Sequence, residues 1–391
     1  MKRREFCRQI AILGGTAVLA PLVKGCTPYV DPTATREAGS PATSSPTVGA
    51  MQRPTRTPLP TGTAELYPTH TPKPMPTDTP QPSPTATATT TPFASAATVA
   101  LVKTINRAEG VRRAIELFGL NPVRGSRVLL KPNYNSADPA PGSTHPDTMR
   151  SLVLQLNELG ARSITVGERS GMGATRQVLQ QLGVFSLGDE FGFDTVVFDE
   201  LEDRDWILRQ SADFHWQSGF AVPRMLLDSE CVVQTCNLKT HRYGGHFTMS
   251  LKNGVGFAAL DLGGKDYMNE LHHSSYQRQM IAEINTAYSP SLIVMDGVDA
   301  FVDGGPARGT VVSPSVVLAG NDPIAIDAVG VAILRLFGTT PEVSGGTVFQ
   351  QEQIARAVEL GLGIDSPGRI NLVTADPESE AYANQIRTFL Y

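Results

Sequence analysis

The sequence predicts an α/β domain, a mostly parallel sheet flanked by helices, preceded by a signal peptide and a disordered Thr/Pro-rich stalk. Three observations carry this. From residue 98 onward, short apolar runs alternate with helical patterns, the order in which parallel sheets are wound. Composition breaks near residue 97, because 15 of the 29 prolines fall between Thr27 and Ala97, among Thr, Ser and Ala. Such a stretch cannot bury enough apolar surface to offset its ordering entropy. The first residues set basic side chains ahead of a short apolar run. The chain therefore divides into 1–25, 26–97 and 98–391.

In the leader, Lys2, Arg3 and Arg4 precede an apolar stretch of 14 residues from Ile10 to Val23. A positive start and an apolar segment too short to span a bilayer describe a signal peptide. Arg3-Arg4 followed by Phe6 resembles the twin-arginine export motif, with an ordinary Sec leader as the alternative. Leu22-Val23-Lys24-Gly25-Cys26 resembles a lipobox cleaved before Cys26, although Lys24 departs from the usual pattern. An acylated Cys26 implies an exported chain anchored to the outer face of the cytoplasmic membrane. Residues 27–97 read as a spacer of extended, polyproline-like conformers with no catalytic role.

The expected strands are 98–103, 127–133, 163–168, 195–198, 231–236, 292–297, 316–320 and 370–374. Between the first two, Val111, Ile115 and Phe118 mark a helix ended by Gly119. His145-Pro146-Asp147 opens a second, carrying Met149, Leu152, Val153, Leu156 and Leu159 and stopped by Gly160. Further helices are expected over 175–182, 276–287, 323–337 and 349–360.

Charge and cysteine content exclude some functions. The segment after residue 97 holds 24 basic against 33 acidic residues, about −9 net, which argues against nucleic acid as a partner. Cys231 and Cys236 are its only cysteines, too few for a four-thiolate iron–sulfur site. An odd spacing along a strand points the two thiols to opposite faces, so small buried hydrophobes are expected rather than a disulfide.

In folds of this class ligands gather at the carboxyl ends of strands. Those ends are chemically marked by Lys131 and Asn133, by Glu168, Gly171 and Gly173, and by Asn237, Lys239 and His241. Asp296 and Asp299 mark a fourth, and Asn321 and Asp322 a fifth. The SGMGAT loop (170–175) has GxG without a third glycine, leaving open a dinucleotide site, a tight turn or an anion site. Residues 237–254 pack two lysines, two histidines and an arginine around Gly244-Gly245. His241 and His246 are candidate ligands for a divalent metal, with His272 or His273. A cationic pocket for a carboxylate or phosphate and simple surface contacts are the alternatives. Asp296, Asp299 and Asp303 lead into Gly304-Gly305-Pro306, while Asp322 and Asp327 read as a base, cation ligands or turn caps.

On these residues, positions 98–375 resemble the DUF362 family, a domain of unknown function. The matching pieces are VLLKPN (128–133), THPD (144–147), NLKTH (237–241) and SLKNGVGF (250–257), then 294–309, 319–330 and GLG (361–363). The resemblance implies a polar signature of Lys131, Asn133, Lys239, His241, Lys252, Asn253, Asp296, Gly304, Gly305, Asp322 and Asp327. Members often carry a ferredoxin-like cysteine cluster, which is absent here, and Cys236 replaces the proline usually found before Lys-Thr-His. An iron–sulfur redox role is correspondingly disfavoured.

The combined expectation is a small anionic ligand, bound or transformed at a Lys/His/Asp cleft. His241, Lys239, Asp296 and Asp322 are the candidate catalytic residues. Lys131, Asn133, Lys252, Asn253, Gly304 and Gly305 are the candidate binding residues. Capture of a ligand or metal without turnover is the alternative.

Overall fold

The structure, a computed structural model, describes residues 96–391. The expected leader, Cys26 and nearly all of the stalk lie outside these residues. Fourteen strands follow in chain order. They begin with β1 (Ala97–Lys103), β2 (Arg127–Lys131), β3 (Ser163–Glu168) and β4 (Asp194–Val197), then a ribbon of β5 (Trp206–Arg209) and β6 (Phe220–Pro223). Next come β7 (Cys231–His241), β8 (His246–Thr248) and a second ribbon of β9 (Asp261–Leu262) and β10 (Lys265–Asp266). The last are β11 (Leu292–Gly304), β12 (Gly309–Val312), β13 (Val316–Gly320) and β14 (Ile370–Val373).

The main sheet runs β14-β1-β13-β11-β7-β2-β3-β4, with β12 added to β11 and β8 to β7. The neighbours β11, β7, β2, β3 and β4 are parallel, as are β1 and β14. β13 runs antiparallel to both β1 and β11, pairing Lys103 with Val316 and Ile293 with Gly320. The sheet is therefore mostly parallel, and its one reversed strand along this path ends at the opposite edge from the others.

Helices cover both faces. Val111 and Ile115 of the helix Arg107–Phe118 and Met149 and Leu152 of Pro146–Glu158 pack on one side of the sheet with Val128, Val233 and Val294. On the other, Ile324, Val329 and Ile333 of Pro323–Leu336 meet Leu101, Leu238 and Met295. A third cluster joins Phe257, Met280 and Ile284 to Leu129 and Val232. Local chemistry sets the helix starts. Asn106 accepts from the Glu109 amide at 3.1 Å, and His145 Nδ1 accepts from the Asp147 amide at 3.1 Å ahead of Pro146. Cys231 and Cys236 are free, buried and in clusters on opposite faces, as the spacing predicts. Among the described residues no helix is long and apolar enough to cross a membrane.

Two strand extensions matter for the site. β7 and β11 run on to His241 and Gly304, well past the apolar runs that predict them, because β8 and β12 fold back as hairpin partners. The helix Pro377–Leu390 is unexpected because its stripe of Tyr382, Ala383, Ile386 and Leu390 is diluted by polar residues.

Candidate functional site

The carboxyl ends of β2, β3 and β7 converge on a polar centre. Lys131, ending β2, is buried with Nζ between Glu168 Oε1 at 2.5 Å and the Pro132 carbonyl at 2.7 Å. Glu168, ending β3, also accepts from the backbone amides of Tyr134 at 2.8 Å and Arg169 at 2.9 Å. The buried Arg169 guanidinium donates to the carbonyls of Ala258 at 2.7 Å and Val255 at 2.8 Å, which draws the 254–257 turn down onto the pair. Only glycine fits at 256, since a Cβ there would lie 2.6 Å from Lys131 Nζ and 2.8 Å from Glu168 Oε1.

The turn Ser250–Asn253 is fastened just as closely. Asp327, on the helix Pro323–Leu336, accepts from the Ser250 amide at 2.7 Å and the Leu251 amide at 3.1 Å. Burial pushes the Asp327 carboxyl up to about 8, against the pull of those two amides. Ser250 Oγ donates to Gln234 at 3.0 Å, and Asn285 donates to the Leu251 carbonyl at 2.9 Å. Asn253 donates to the carbonyls of Lys131 and Thr235, and accepts from Asn133 Nδ2 at 3.3 Å.

Over this frame lies a cavity of about 760 Å³. Its buried lining includes Asn133, Glu168, Arg169, His241, Thr248, Lys252 and Asn253, and its outer lining includes Met172, Tyr243 and Leu260. Lys252 is the group set apart. Its ammonium makes no hydrogen bond or ion pair within the described residues, and burial, then the Arg169 charge, pull it down to about 8. A Cβ on Gly245 would meet Lys252 Cε at 2.7 Å and His241 Nδ1 at 2.8 Å, so the two side chains share one turn. Burial, then the charges of Lys252, Lys239 and His272, hold His241 well below the usual histidine range and therefore neutral. Four buried polar atoms on the lining have no partner within the chain: Asn133 Oδ1, Asn135 Nδ2, His241 Nδ1 and Thr248 Oγ1. Such atoms are uncommon and individually costly.

The sequence-based candidates separate on this geometry. His241, Asn133, Lys252 and Asn253 line the cavity, and Lys131 lies beneath it, bonded to Glu168. Lys239 does not line it. Its Nζ donates to the Gly142 carbonyl and holds the 134–145 loop, as Asn237 does through Pro141. Burial, then Lys252, lower Lys239 to about 7. Asp296 is also off the cavity, accepting from Arg107 at 2.9 Å, Thr148 at 2.6 Å and the Val298 amide at 3.0 Å. Asp299 takes the other arm of Arg107 at 2.7 Å.

Asp322 stands at the opposite edge of the sheet, because β13 is reversed. It caps the helix Pro323–Leu336 through the Ala325 amide at 2.9 Å and holds the Ile364 amide at 2.8 Å. Gly304 and Gly305 turn the end of β11 at φ of 78° and 67°. A Cβ on Gly305 would strike the Thr240 carbonyl, so both positions serve backbone packing rather than the large cavity. The SGMGAT segment is a tight turn, in which Thr175 Oγ1 accepts from the Ser170 amide at 2.8 Å.

Arg169, Asn135 and Thr248 escape sequence reasoning. Arg169 directly follows a strand-ending glutamate and is legible in hindsight, whereas Thr248 carries no signal of its own. His241 and His246 pair across the β7–β8 hairpin. Among the described residues no group of three or more His, Cys, Asp or Glu side chains is placed to hold a metal ion, so the metal reading of this pair lacks further ligands.

A family model described as "Domain of unknown function (DUF362)" matches residues 128–332, more than half of the chain. The thylakoid-associated protein sll1697 of Synechocystis sp. is 26% identical over 215 residues, 54% of this chain and 64% of that protein. The aligned part thus spans somewhat less than two thirds of the relative's length. Among solved structures, the lactate racemase apoprotein from Thermoanaerobacterium thermosaccharolyticum aligns with 12% identity and a TM-score of 0.36. That alignment covers 75% of this chain and 86% of the other, and a likeness this loose says nothing about shared chemistry.

Proposed function

Because the chain belongs to the DUF362 family, whose description names no reaction, we propose its function from the cavity itself. The domain binds a small organic anion, a carboxylate or phosphate, with Lys252 as the counter-charge. Asn133, Thr248 and His241 orient it. The observation that carries this reading is an ammonium without an acceptor, on a side chain only 9% exposed, beside buried polar atoms that also lack partners. An isolated buried charge is expensive, and an anion that reaches Lys252 relieves that cost with a charge-assisted hydrogen bond worth roughly 1.5–3 kcal/mol.

The same lysine is the group placed to give or take a proton if the ligand is transformed, since its two protonation states are balanced near pH 8. The leader pattern supports display of the domain outside the cytoplasmic membrane on an acylated Cys26, which suits capture and catalysis alike.

The test is calorimetric titration of carboxylates and phosphate monoesters into the wild type and Lys252→Met. A loss of tenfold or more in affinity, with no loss of thermal stability, is the expected result. Equal affinity in the two proteins would refute the reading. Following the bound ligand by NMR separates turnover from capture.

A further inference from the structure

The cavity is polar at its floor, and its mouth sets large apolar side chains among the exposed Asp266, Asn269, His272 and His273, an apolar component that the proposed anion site alone does not explain. Lys252, Asn133, Thr248 and His241 at the floor are all buried. At the mouth, Met172, Tyr243 and Leu260 are 43%, 50% and 46% exposed, three large apolar side chains on the lining of one opening. Val255 and Met268 extend this surface inward along the wall. Tyr243 is held in place, edge-on to His241 at 5.9 Å between ring centroids and with the Arg242 guanidinium 4.9 Å from its own. Apolar residues gathered around one opening mark a binding surface more often than an accident of composition.

Size points the same way. At about 760 Å³ the cavity lies well inside the range of sites for whole organic ligands, roughly 300–1,000 Å³. A lone acetate or phosphate ion on Lys252 would leave most of it unfilled. An anion carrying an apolar body would satisfy the floor with its charge and cover the mouth with the rest.

We infer that the ligand is amphiphilic, an anionic head seated on Lys252 with an alkyl or aromatic body lying against Met172, Tyr243 and Leu260. This rests on the anion-binding reading of the same cavity and adds the substrate class to it. A soluble amphiphile and a membrane lipid share this chemistry.

The experiment titrates butanoate, hexanoate and octanoate into the full-length chain. Each methylene buried against the wall is worth about fourfold in affinity. The expected result is a gradient of that order that flattens in a Met172→Ser, Leu260→Ser double variant. Both substitutions fall on exposed positions, which keeps the fold out of the comparison. Affinity independent of chain length, with Lys252→Met still abolishing binding, would overturn the amphiphile and leave the anion site standing. No alkanoate binding in any protein would overturn the amphiphilic carboxylate, and absence of phosphate monoester binding as well would remove both readings. Displacement of bound octanoate by anionic phospholipid vesicles assigns the head to a lipid, and its persistence assigns a soluble amphiphile.

Discussion

Replacing Glu168 with Gln tests whether the centre beneath the cavity is held by a buried ion pair. Lys131 and Glu168 are each 1% exposed and 2.5 Å apart, so neither has water to fall back on. Breaking such a pair by removing one charge costs roughly 3–5 kcal/mol, which for a domain of roughly 300 residues lowers Tm by roughly 5–8 °C. The pH dependence identifies the cause. Burial already lowers the Lys131 ammonium below its usual range, and Glu168 opposes that shift. Without Glu168 the folded protein holds fewer protons on Lys131 than the unfolded chain does, so stability rises with pH below the unfolded value near 10.4.

The deficit of Glu168→Gln is therefore largest near pH 7 and narrows toward pH 9, as read by denaturant melts across that range. Adding Lys131→Met removes the stranded charge. What remains is the backbone amide of Tyr134 or Arg169 that loses a carboxylate acceptor, roughly 1–3 kcal/mol. If the single variant loses less than about 1 kcal/mol, or the double is no more stable than the single, the ion pair is not what fixes the site.

The remaining predictions are independent of that pair. Anion affinity holds below pH 8 and falls about tenfold per unit above it, because the ammonium of Lys252 loses its proton near 8 in the free protein, and a flat titration series refutes the role of Lys252. Asp322→Ala costs about 0.5–2 kcal/mol in urea melts with anion affinity unchanged, as expected of a helix cap, whereas lost binding with intact stability would return Asp322 to the site. Peptide mapping after alkylation finds Cys231 and Cys236 unmodified until denaturant is added, since both thiols are buried and burial raises their pKa, and rapid native-state modification would contradict their placement.

Much of the fold is legible because its code is local. Apolar runs such as 163–168 and 316–320 match their strands to the residue, and Asn106, His145 and Asp322 announce the helices they cap. Direction is not local. Nothing within Val316–Gly320 says that this strand runs against its neighbours, for that is fixed by pairing with β1 and β11. The five polar strand ends therefore do not share one edge, since Asn321 and Asp322 belong at the other end of the sheet from Lys131. The extensions of β7 and β11 are hidden for a related reason, since Lys239 and His241 look like loop residues until the β8 hairpin pairs with them.

At the site, polarity in sequence marked the neighbourhood but did not sort scaffold from function. The distinction lies in how each side chain spends its hydrogen-bonding capacity. Asp327 gives both oxygens to the amides of Ser250 and Leu251, Asp322 gives both to Ala325 and Ile364, and Asp296 gives its own to Arg107, Thr148 and Val298. Saturated in this way, these carboxylates hold the chain in place and have little left for a ligand. Lys252, His241, Asn133 and Thr248 keep an atom uncommitted, and all four line one cavity. The SLKN turn shows the two kinds side by side: the Ser250 and Leu251 amides, the Ser250 hydroxyl and the Asn253 amide are tied down, and the one charged group between them is left free. A turn fastened at that many points fixes the backbone from which a single ammonium extends, which is how a folded chain preorganises a charge for a ligand.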